Sequence, residues 1–288
     1  MIKIHYKSSN SLINEIKKQE NIKLYKEPNS FLKIFKKPSY PDIFFHSGNL
    51  DEKSLNYINN SKITITNSFS NRSLILQKSK KSEDDIRVIY PSANLKSFDI
   101  EKIREKYKER YLLTQNTKLI LFNAKNFKTS GIKEFLNIAS SLNFIDFKLL
   151  ILGDKQQISI LDFILTKYKN LENKVIKLDS SKENIDEIYF LSDIFLLPTY
   201  NKNIASSIIK AMASSCVVFT TMNNDAKELI DVYATMEQPE DPSTPFKIDA
   251  ILYDEKELEN IKAQNREIVK ELSLETNIDK FNEILANF

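Results

Sequence analysis

The sequence predicts an α/β fold of the doubly wound class, in which helices cover both faces of a parallel sheet. Short apolar runs at 118–122, 148–152 and 194–197 alternate with longer segments of helical period. Runs without polar interruption are typical of strands that are buried on both faces. Each connecting segment is long enough to return the chain for another parallel strand.

The clearest alternation begins after a charged segment, 99–111, which we expect to be a helical connector. Five strands and four helices follow, and together they predict one doubly wound domain. The expected strands are 118–122, 148–152, 175–178, 194–197 and 217–220. The expected helices are 132–142, 158–168, 185–191 and 204–214.

The first hundred residues show the same alternation on a smaller scale and predict a second α/β domain. Its expected strands are 2–6, 22–25, 42–46, 63–66 and 87–90. We therefore expect a small domain at 1–98, a larger domain at 99–253, and C-terminal helices at 254–288 that pack back on the domains. The segment 233–246 contains three prolines and is expected to be a loop.

The composition excludes several kinds of site. The chain has 3 glycines, where about twenty would be usual. Neither the dinucleotide-binding loop nor the P-loop can be built with so few, because each needs several glycines within a few residues. One cysteine and two histidines exclude an intrachain disulfide and the usual metal centres, so no metal is expected.

The charge and hydropathy patterns limit the partners and the location. The 42 basic and 39 acidic residues leave a formal net charge of +3, spread through the chain. A field this weak does not predict nucleic acid as a partner. No signal-peptide core is present, and no apolar run reaches the roughly 18 residues of a transmembrane helix. We expect a cytoplasmic protein without a transmembrane segment, and peripheral contact with a membrane stays open.

Four segments resemble the motifs of one protein family, in the same order and at the same spacings. The segment 87–98 resembles the interdomain stretch I-P-N-G-V-D-x-x-x-F of GT-B glycosyltransferases of family 4. The segment 121–131 resembles their loop F-x-G-R-x-x-x-x-K-G, and 149–154 resembles their strand end L-x-I-x-G-D. The most specific match is 192–218, which resembles A-D-x-x-x-x-P-S-x-x-E-x-x-x-x-x-x-x-E-A-M-A-x-G-x-P-V.

The resemblance covers about residues 86–232 and implies a GT-B fold. In that fold two Rossmann-like domains face each other across a cleft, and here the N-terminal domain is reduced. In active members the C-terminal domain holds a nucleotide-diphosphate sugar and the N-terminal domain supplies the acceptor site. Transfer retains the anomeric configuration and usually needs no metal, because basic side chains and a helix N-terminus stabilise the departing diphosphate. No cofactor is expected, and a nucleotide-diphosphate sugar is expected only if the protein is active.

The residues that would bind the donor depart from the family pattern. Lys202 and Lys210 align with two glutamates that contact the sugar hydroxyls and the ribose. An ammonium group cannot accept the hydrogen bonds that a carboxylate accepts. Lys125 aligns with the arginine of the diphosphate clamp and keeps the charge without the bidentate fork. The partner lysine of the clamp aligns with Ser130, and Lys128 lies two positions earlier in the same loop.

Several glycines of the family are also replaced. Ser92, Ala124 and Ser215 stand at those positions, and we expect their side chains to fill space that a ligand needs. Gly131 and Glu228 persist at matching positions. The vestigial donor site implied by the resemblance therefore consists of Lys125, Lys128, Ser130, Gly131, Lys202, Lys210 and Glu228.

His46 is the one candidate catalytic residue. It ends the predicted strand 42–46, and family members often carry a histidine at a comparable strand end facing the cleft. The alternative is a strand-end histidine that is hydrogen-bonded to nearby backbone.

Three functions remain open at this point, and the sequence leaves it uncertain whether the chain is an enzyme. A degenerate, non-catalytic family member acting as a binding or assembly module for a protein partner is favoured, because so many donor contacts are lost. The second function is a divergent but active retaining transferase whose lysines neutralise the diphosphate. The third is an anion- or nucleotide-binding regulator that keeps the cleft without the chemistry.

Overall fold

The structure is a computed structural model, and it describes residues 1–26 and 39–288. These residues form two compact units. Unit 1 consists of Met1–Ser92 with Leu272–Phe288, and unit 2 is Ala93–Glu271. The predicted domains divide the chain at 98 and 253 instead, so that the predicted C-terminal segment 254–288 is shared between the two units.

Among the described residues of unit 1, five parallel strands form one sheet. They lie at the five predicted positions and are β1 (Ile2–Tyr6), β2 (Ile22–Leu24), β3 (Ile43–Phe45), β4 (Ile63–Thr66) and β5 (Ile86–Val88). Their order is β2-β1-β3-β4-β5. The chain therefore adds β2 on one side of β1 and then adds β3 on the other, so the winding of the sheet reverses between β1 and β3.

Within residues 93–271, all of which the structure describes, six parallel strands form the second sheet. They are β6 (Lys118–Asn123), β7 (Phe147–Gly153), β8 (Val175–Asp179), β9 (Ile194–Leu197), β10 (Val217–Thr221) and β11 (Thr235–Met236). Their order is β11-β10-β9-β6-β7-β8, so the winding reverses between β6 and β9. Doubly wound sheets bind ligands at the carboxyl ends of the strands beside such a reversal.

Helices connect the strands within each unit. Those of the described chain are α1 (Ser11–Ile16), α2 (Glu52–Asn60), α3 (Phe69–Lys78), α4 (Ile100–Tyr111), α5 (Ile132–Ser140), α6 (Lys155–Leu165), α7 (Ile185–Leu191), α8 (Ser206–Ala213), α9 (Thr244–Tyr253), α10 (Glu255–Lys270) and α11 (Leu274–Ala286). The predicted connector is confirmed as α4. The loop predicted at 233–246 is wrong in part, because β11 pairs with β10 inside it and α9 begins at Thr244.

The sheet of unit 1 is covered on both faces. Ile43 and Phe45 belong to one apolar cluster, which includes the completely buried Phe281 of α11. Phe44, between them in sequence, belongs to the cluster on the opposite face with Tyr57 of α2. This alternation follows from the period of two in a strand. Helix α11 therefore completes the core of unit 1 from the far end of the chain.

The central strands of unit 2 are buried along their whole apolar length. Residues 119–122 of β6 and 149–152 of β7 have no exposed surface, which explains why these runs contain no alternating polar positions. Cys216 is a buried thiol that donates hydrogen bonds to the carbonyls of Tyr189 and Ser192. Asn265 of α10 donates to the carbonyl of Cys216 at 2.8 Å, which fixes that helix to the start of β10.

Two kinds of feature are missing from residues 1–26 and 39–288. No helix there has both the length and the apolar character needed to cross a membrane. No group of three or more His, Cys, Asp or Glu residues there has the arrangement of a metal site.

Candidate functional site

A polar cavity of about 760 Å³ lies at the winding reversal of unit 2. We call it the switch cavity. Its walls come from the carboxyl ends of β6, β7 and β9, from the loops that follow these strands, and from the first turns of α8. Asn123 ends β6 and residues 124–126 begin the loop after it. Thr199 lies in the loop after β9, and Ser206 begins α8. The cavity therefore occupies the position at which a doubly wound sheet binds its ligand.

The helices that follow β6 and β9 begin at or beside the switch cavity without a side-chain cap. The N-cap of α5 is Gly131 and that of α8 is Ala205, and neither makes a capping side-chain hydrogen bond. Helix α6, which follows β7, is capped instead, because Asp154 accepts from the backbone N–H of Gln157 at 2.8 Å. Uncapped N–H groups at a helix start attract anions.

Lys125 adds a positive charge to this region. It is exposed, and it lines the switch cavity. Among the described residues its ammonium group has no hydrogen-bond or ion-pair partner. The first turn of α8 and Lys125 together make the cavity suitable for a phosphate group.

Lys210 also lines the switch cavity, but its charge is already compensated. Its Nζ lies 2.5 Å from Oδ1 of Asp186, and the other oxygen of Asp186 accepts from Lys96. Burial of Asp186 opposes its ionisation, yet the hydrogen bonds from Lys210 and Lys96 outweigh burial and hold the pKa of this carboxyl below its usual value. The resemblance aligns Lys210 with a glutamate of the family. In this protein Asp186 is the carboxylate that pairs with the Lys210 ammonium group.

Lys202 does not join the residues that line the switch cavity. It is exposed, and its side chain has no partner among the described residues. Its backbone is held, because its carbonyl accepts from the N–H of Asp225 at 2.7 Å. The amide of Asn224 donates to the carbonyls of Asn201 and Asn203 at 2.9 and 2.8 Å. The loop that carries Lys202 is thus fixed by its main chain, and its ammonium group extends into solvent.

Of the other residues predicted to form the donor site, Ser130 lines the switch cavity, whereas Lys128 and Glu228 do not. Ser130 lines the switch cavity and is buried. Lys128 lines a neighbouring hollow between α5 and α6 instead, so its expected reach into the donor site is not observed. Glu228 ends a short 3-10 turn, Asp225–Glu228, and is not among the residues lining the cavity.

Gly131 has a structural requirement that explains its retention. Its φ is +80°, and a Cβ at this position would lie 1.8 Å from the carbonyl oxygen of Pro198. An L-residue would be strained by the backbone conformation and by this contact. Gly131 is therefore needed for the approach of α5 to the end of β9.

Two of the three replaced glycines do not concern the cavity, contrary to expectation. Ser92 accepts a hydrogen bond from Asn277 inside unit 1. Ser215 has φ +62° and follows α8, and its N–H bonds to Met212 while that of Cys216 bonds to Ala211. This pattern is a Schellman motif, whose left-handed residue is usually glycine for conformational reasons. Ala124 alone of the three lines the switch cavity.

Sequence reasoning missed two residues that shape the cavity. Asp186 neutralises Lys210, and Tyr189 accepts from the amide of Asn123 at 2.8 Å. Tyr189 is completely buried, which raises the pKa of its hydroxyl far above the ordinary value. A signal for Asp186 existed, because a lysine turned toward a protein interior requires a nearby acid. The sequence could not distinguish it from its neighbour Glu187.

His46 lies in unit 1, at the end of β3, and is only 3% exposed. Burial and the charge of Lys7 lower the pKa of His46 to about 4, although Asp51 and a backbone hydrogen bond to Gly48 oppose this. Its Nδ1 has no hydrogen-bond partner among the described residues. Its neighbours favour the backbone-bonded alternative over a catalytic role.

The surroundings of His46 are closed by the protein itself. Lys7 donates to Asp51 at 2.8 Å and to Ser54 at 3.2 Å. Asp51 in turn caps α2, because it accepts from the N–H of Ser54 at 2.8 Å. The hydrogen bond from Lys7 is the main reason why the pKa of Asp51 lies well below its usual value. The positive and negative groups at this strand end therefore satisfy each other.

Comparison with known protein families identifies the same family as the motifs do. Residues 103–268, more than half of the chain, match the family model described as glycosyl transferases group 1. No curated protein sequence matches the chain.

Solved structures share its fold at low sequence identity. A glycosyltransferase from Rickettsia africae ESF-5 is 21% identical with a TM-score of 0.73, and the match covers 96% of this chain and 82% of that one. WaaG, a glycosyltransferase involved in lipopolysaccharide biosynthesis, is 12% identical with a TM-score of 0.71, and the match covers 99% of both chains. Anabaena Alr3699/HepE, solved with UDP-glucose, is 16% identical with a TM-score of 0.70 over 85% of this chain and 72% of that one. These matches confirm the predicted GT-B fold with its two Rossmann-like units.

Proposed function

This chain belongs to the group 1 glycosyl transferases, and from that premise we propose that it no longer transfers sugar and serves as a binding or assembly module. One observation carries the proposal. Among the residues that line the switch cavity, all of them in the described chain, the only carboxylate is Asp154. One oxygen of that carboxylate is engaged as the cap of α6. One carboxylate oxygen is therefore left to accept hydrogen bonds from the hydroxyls of a sugar, where the aligned family pattern has two glutamates.

The remaining polar groups do not replace the missing carboxylates. The asparagine side chains of the cavity are neutral, and their hydrogen bonds are weaker than those of an ionised acceptor. Lys210 is tied to Asp186, and Lys202 points into solvent. Sugar transfer depends on groups that orient the sugar and stabilise the developing charge at its reacting carbon. For the first of these tasks the cavity lacks the two aligned carboxylates.

A second candidate function, binding of a nucleotide or another phosphate-bearing anion, is favoured by a separate observation. The start of α8 is uncapped and Lys125 has no partner among the described residues, so both are available to an anion. The cavity volume, about 760 Å³, suits a small-molecule ligand. UDP and UDP-glucose are bound in the Anabaena structures. For this chain we propose binding through the phosphates, with no contribution from the sugar.

Calorimetric titration with UDP, UDP-glucose and other nucleoside diphosphates and their sugars tests the proposal. We expect each nucleotide and its sugar derivative to bind within about threefold of each other, because the two aligned carboxylates that would hold the sugar are absent. Lys125→Met should weaken both ligands equally. Lys256→Met, at an exposed lysine of α10 outside the cavity, should weaken neither. A sugar derivative that binds far more tightly than its nucleotide would contradict the loss of sugar recognition.

A reverse experiment restores the acceptors. In the triple variant Lys202→Glu, Lys210→Glu and Asp186→Asn, the aligned carboxylates return and their repulsion from Asp186 is removed. We expect this variant, but not Asp186→Asn alone, to prefer a nucleotide sugar over the free nucleotide. The proposal keeps the expected cytoplasmic location, and it requires neither nucleic acid nor metal.

A further inference from the structure

The ion pair between Lys210 and Asp186 borders the switch cavity. Nζ of Lys210 lies 2.5 Å from Oδ1 of Asp186. Lys210 belongs to α8 and lines the cavity, whereas Asp186 belongs to α7 and is not among the lining residues. The cavity is thus bordered by a cation whose counter-ion lies outside the lining.

Lys210 is placed close to the uncapped start of α8. It stands four positions after Ser206, which begins α8 and also lines the cavity. Residues four apart share a helix face, and helical side chains lean toward the N-terminus. Nζ of Lys210 lies 5.4 Å from the ring centroid of Tyr189, and that buried ring is held by a hydrogen bond from Asn123. The ammonium group therefore lies beside a fixed ring, within about one turn of the helix start at which phosphate groups are expected.

The side chain of Lys210 is free to contact a ligand. It is 38% exposed, and its ammonium group ends a flexible four-carbon stem. An ammonium group has three donors, and the hydrogen bond to Asp186 uses one of them. A phosphate group carries more negative charge than a carboxylate does. A phosphate that enters the cavity therefore competes with Asp186 for this ammonium group.

Asp186 would keep a partner if Lys210 turned away. The other oxygen of its carboxylate accepts from Lys96. Phe98, two positions after Lys96, packs on Phe190 of α7 with the ring centroids 4.8 Å apart, which holds this segment against α7. A half-buried carboxylate that loses its last partner is costly. Because Lys96 remains, Asp186 can release Lys210 without becoming an unpaired charge.

We propose that Asp186 competes with phosphate-bearing ligands for Lys210 and thereby sets the anion affinity of the switch cavity. Without ligand, Lys210 binds Asp186. When a phosphate group binds at the start of α8, Lys210 turns to it, and Asp186 stays with Lys96. This inference rests on the second candidate function, anion binding, and adds to that site a residue that does not line the cavity.

Calorimetric titration of the full protein with UDP and with inorganic pyrophosphate tests the inference. Asp186→Asn should tighten both probes about three- to fivefold, because the ligand no longer displaces an ion pair. Glu187→Gln is the matched control. It removes the next carboxylate of α7, which pairs with Lys106 at 2.5 Å and does not line the cavity. This control should change the affinity less than about twofold.

Lys96→Met tests the same competition from the other side. Asp186 then has Lys210 as its one remaining partner in the described chain and should hold it more firmly. Both probes should bind about threefold more weakly or worse. The side chain of Lys96 is 45% exposed, so its replacement should leave the fold intact. This variant keeps the inference testable if thermal unfolding shows that Asp186→Asn is destabilised.

Lys210→Met separates competition from a general effect of charge. If Asp186 acts through Lys210, then Asp186→Asn and Lys96→Met should each change the affinity less than about twofold in protein that already carries Lys210→Met. A charge that acted only through its field would have the same effect with or without Lys210.

Three results would overturn the inference. One is equal binding of the probes by Asp186→Asn and the unchanged protein, which would leave anion binding itself intact. Another is tighter binding by Asp186→Asn that persists beside Lys210→Met. If neither probe binds to the unchanged protein or to Asp186→Asn, the anion-binding function fails together with the inference. The loss of sugar transfer is measured separately, by release of the nucleotide from a nucleotide sugar.

Discussion

The winding of both sheets reverses beside their first strand, but the helix starts at the two reversals differ in whether side chains cap them. In unit 1 the helices that follow β1 and β3 are both capped by side chains, because Asn10 accepts from Ile13 and Asp51 accepts from Ser54. In unit 2 the helices that follow β6 and β9 have Gly131 and Ala205 at their caps, and neither supplies a capping side chain. At the first reversal side chains cap both helix starts, whereas the second leaves helix starts uncapped at or beside a cavity.

The cations follow the same division. Lys7, at the end of β1, is bonded to Asn49, Asp51 and Ser54. Lys125, after the end of β6, lines an open cavity without a partner in the described chain. A reversal of the winding alone therefore does not make a binding site, because side chains of the protein can occupy its helix starts and pair its cations. Unsatisfied donors distinguish the reversal that can bind a ligand.

The largest expected effect tests the geometry of the open reversal. Gly131→Ala should lower the free energy of unfolding by about 3 to 5 kcal/mol, from the left-handed backbone and from the collision with Pro198. Chemical denaturation of the purified variant measures this effect. Lys133→Ala, at an exposed position two residues later in α5, is the control and should change stability little. A near-neutral Gly131→Ala would mean that α5 does not approach β9 so closely.

The next effect concerns His46 at the reversal of unit 1, and it is measured as the change of stability with pH. His46 has a pKa lowered to about 4 in the folded protein, against about 6.5 when unfolded. Between these values the unfolded chain binds the extra proton and the folded chain does not, so stability must fall as pH falls from 6.5 to 4. The loss attributable to His46 is about 3 kcal/mol across that window. Denaturant titrations at a series of pH values will show it.

His46→Gln is the matched variant for this pH effect, because it cannot titrate and retains a donor for a nearby carbonyl. Its unfolding free energy should be less steep between pH 6.5 and 4 than that of the unchanged protein. Equal slopes would show that His46 is already accessible to protons, and the reversal of unit 1 would then not be closed.

Much of the fold was predictable because it depends on patterns within the sequence. The runs 119–122 and 149–152 are apolar without interruption, and each lies in a buried central strand. Strand β11 could not be predicted in the same way. It has two residues, and its pairing with Thr220 and Thr221 is a tertiary contact that no local pattern reveals. The prolines nearby instead indicated a loop.

A smaller effect comes from adding a side-chain cap at the reversal of unit 2 and removing one at the reversal of unit 1. Ala205→Asp should stabilise the protein without ligand by about 1 kcal/mol, because it caps α8. The same substitution should abolish nucleotide binding, since it places a negative charge where the phosphates are expected. Thermal unfolding and calorimetry on one sample measure both outcomes.

Asn10→Ala is the counterpart of that substitution in unit 1. It should lower stability by about 1 kcal/mol through loss of the α1 cap, and it should leave nucleotide binding unchanged. If Ala205→Asp bound nucleotide as well as the unchanged protein does, the start of α8 would not be the anion site.

The smallest effect separates glycines that serve ligands from glycines that serve the backbone. Ser215→Gly should raise stability by up to about 1 kcal/mol, because the left-handed residue of the Schellman motif then loses its strain. Nucleotide affinity should not change, because Ser215 is not among the residues that line the switch cavity. A change in affinity would instead show that Ser215 affects the ligand site, as the sequence predicts.

The candidate site was only partly predictable, and the reason is physical. Alignment with family motifs located Lys125, Ser130 and Lys210 at the switch cavity, since motif spacing follows the chain. It could not locate Asp186, whose role depends on a contact between α7 and α8. It also assigned Lys128 to the donor site, because sequence spacing does not show toward which side of a loop a flexible side chain turns.

The rate of UDP release from UDP-glucose, and of the corresponding nucleotides from other nucleotide-diphosphate sugars, tests the central claim most directly. The protein is supplied in excess over the donor, with and without simple sugar acceptors, and the free nucleotide is quantified over hours. We expect release at the rate observed without protein, while the same samples show nucleotide bound at the switch cavity. Release that is faster than this background and is lost in Lys125→Met would show that the cavity still supports transfer, which contradicts the proposed loss of activity.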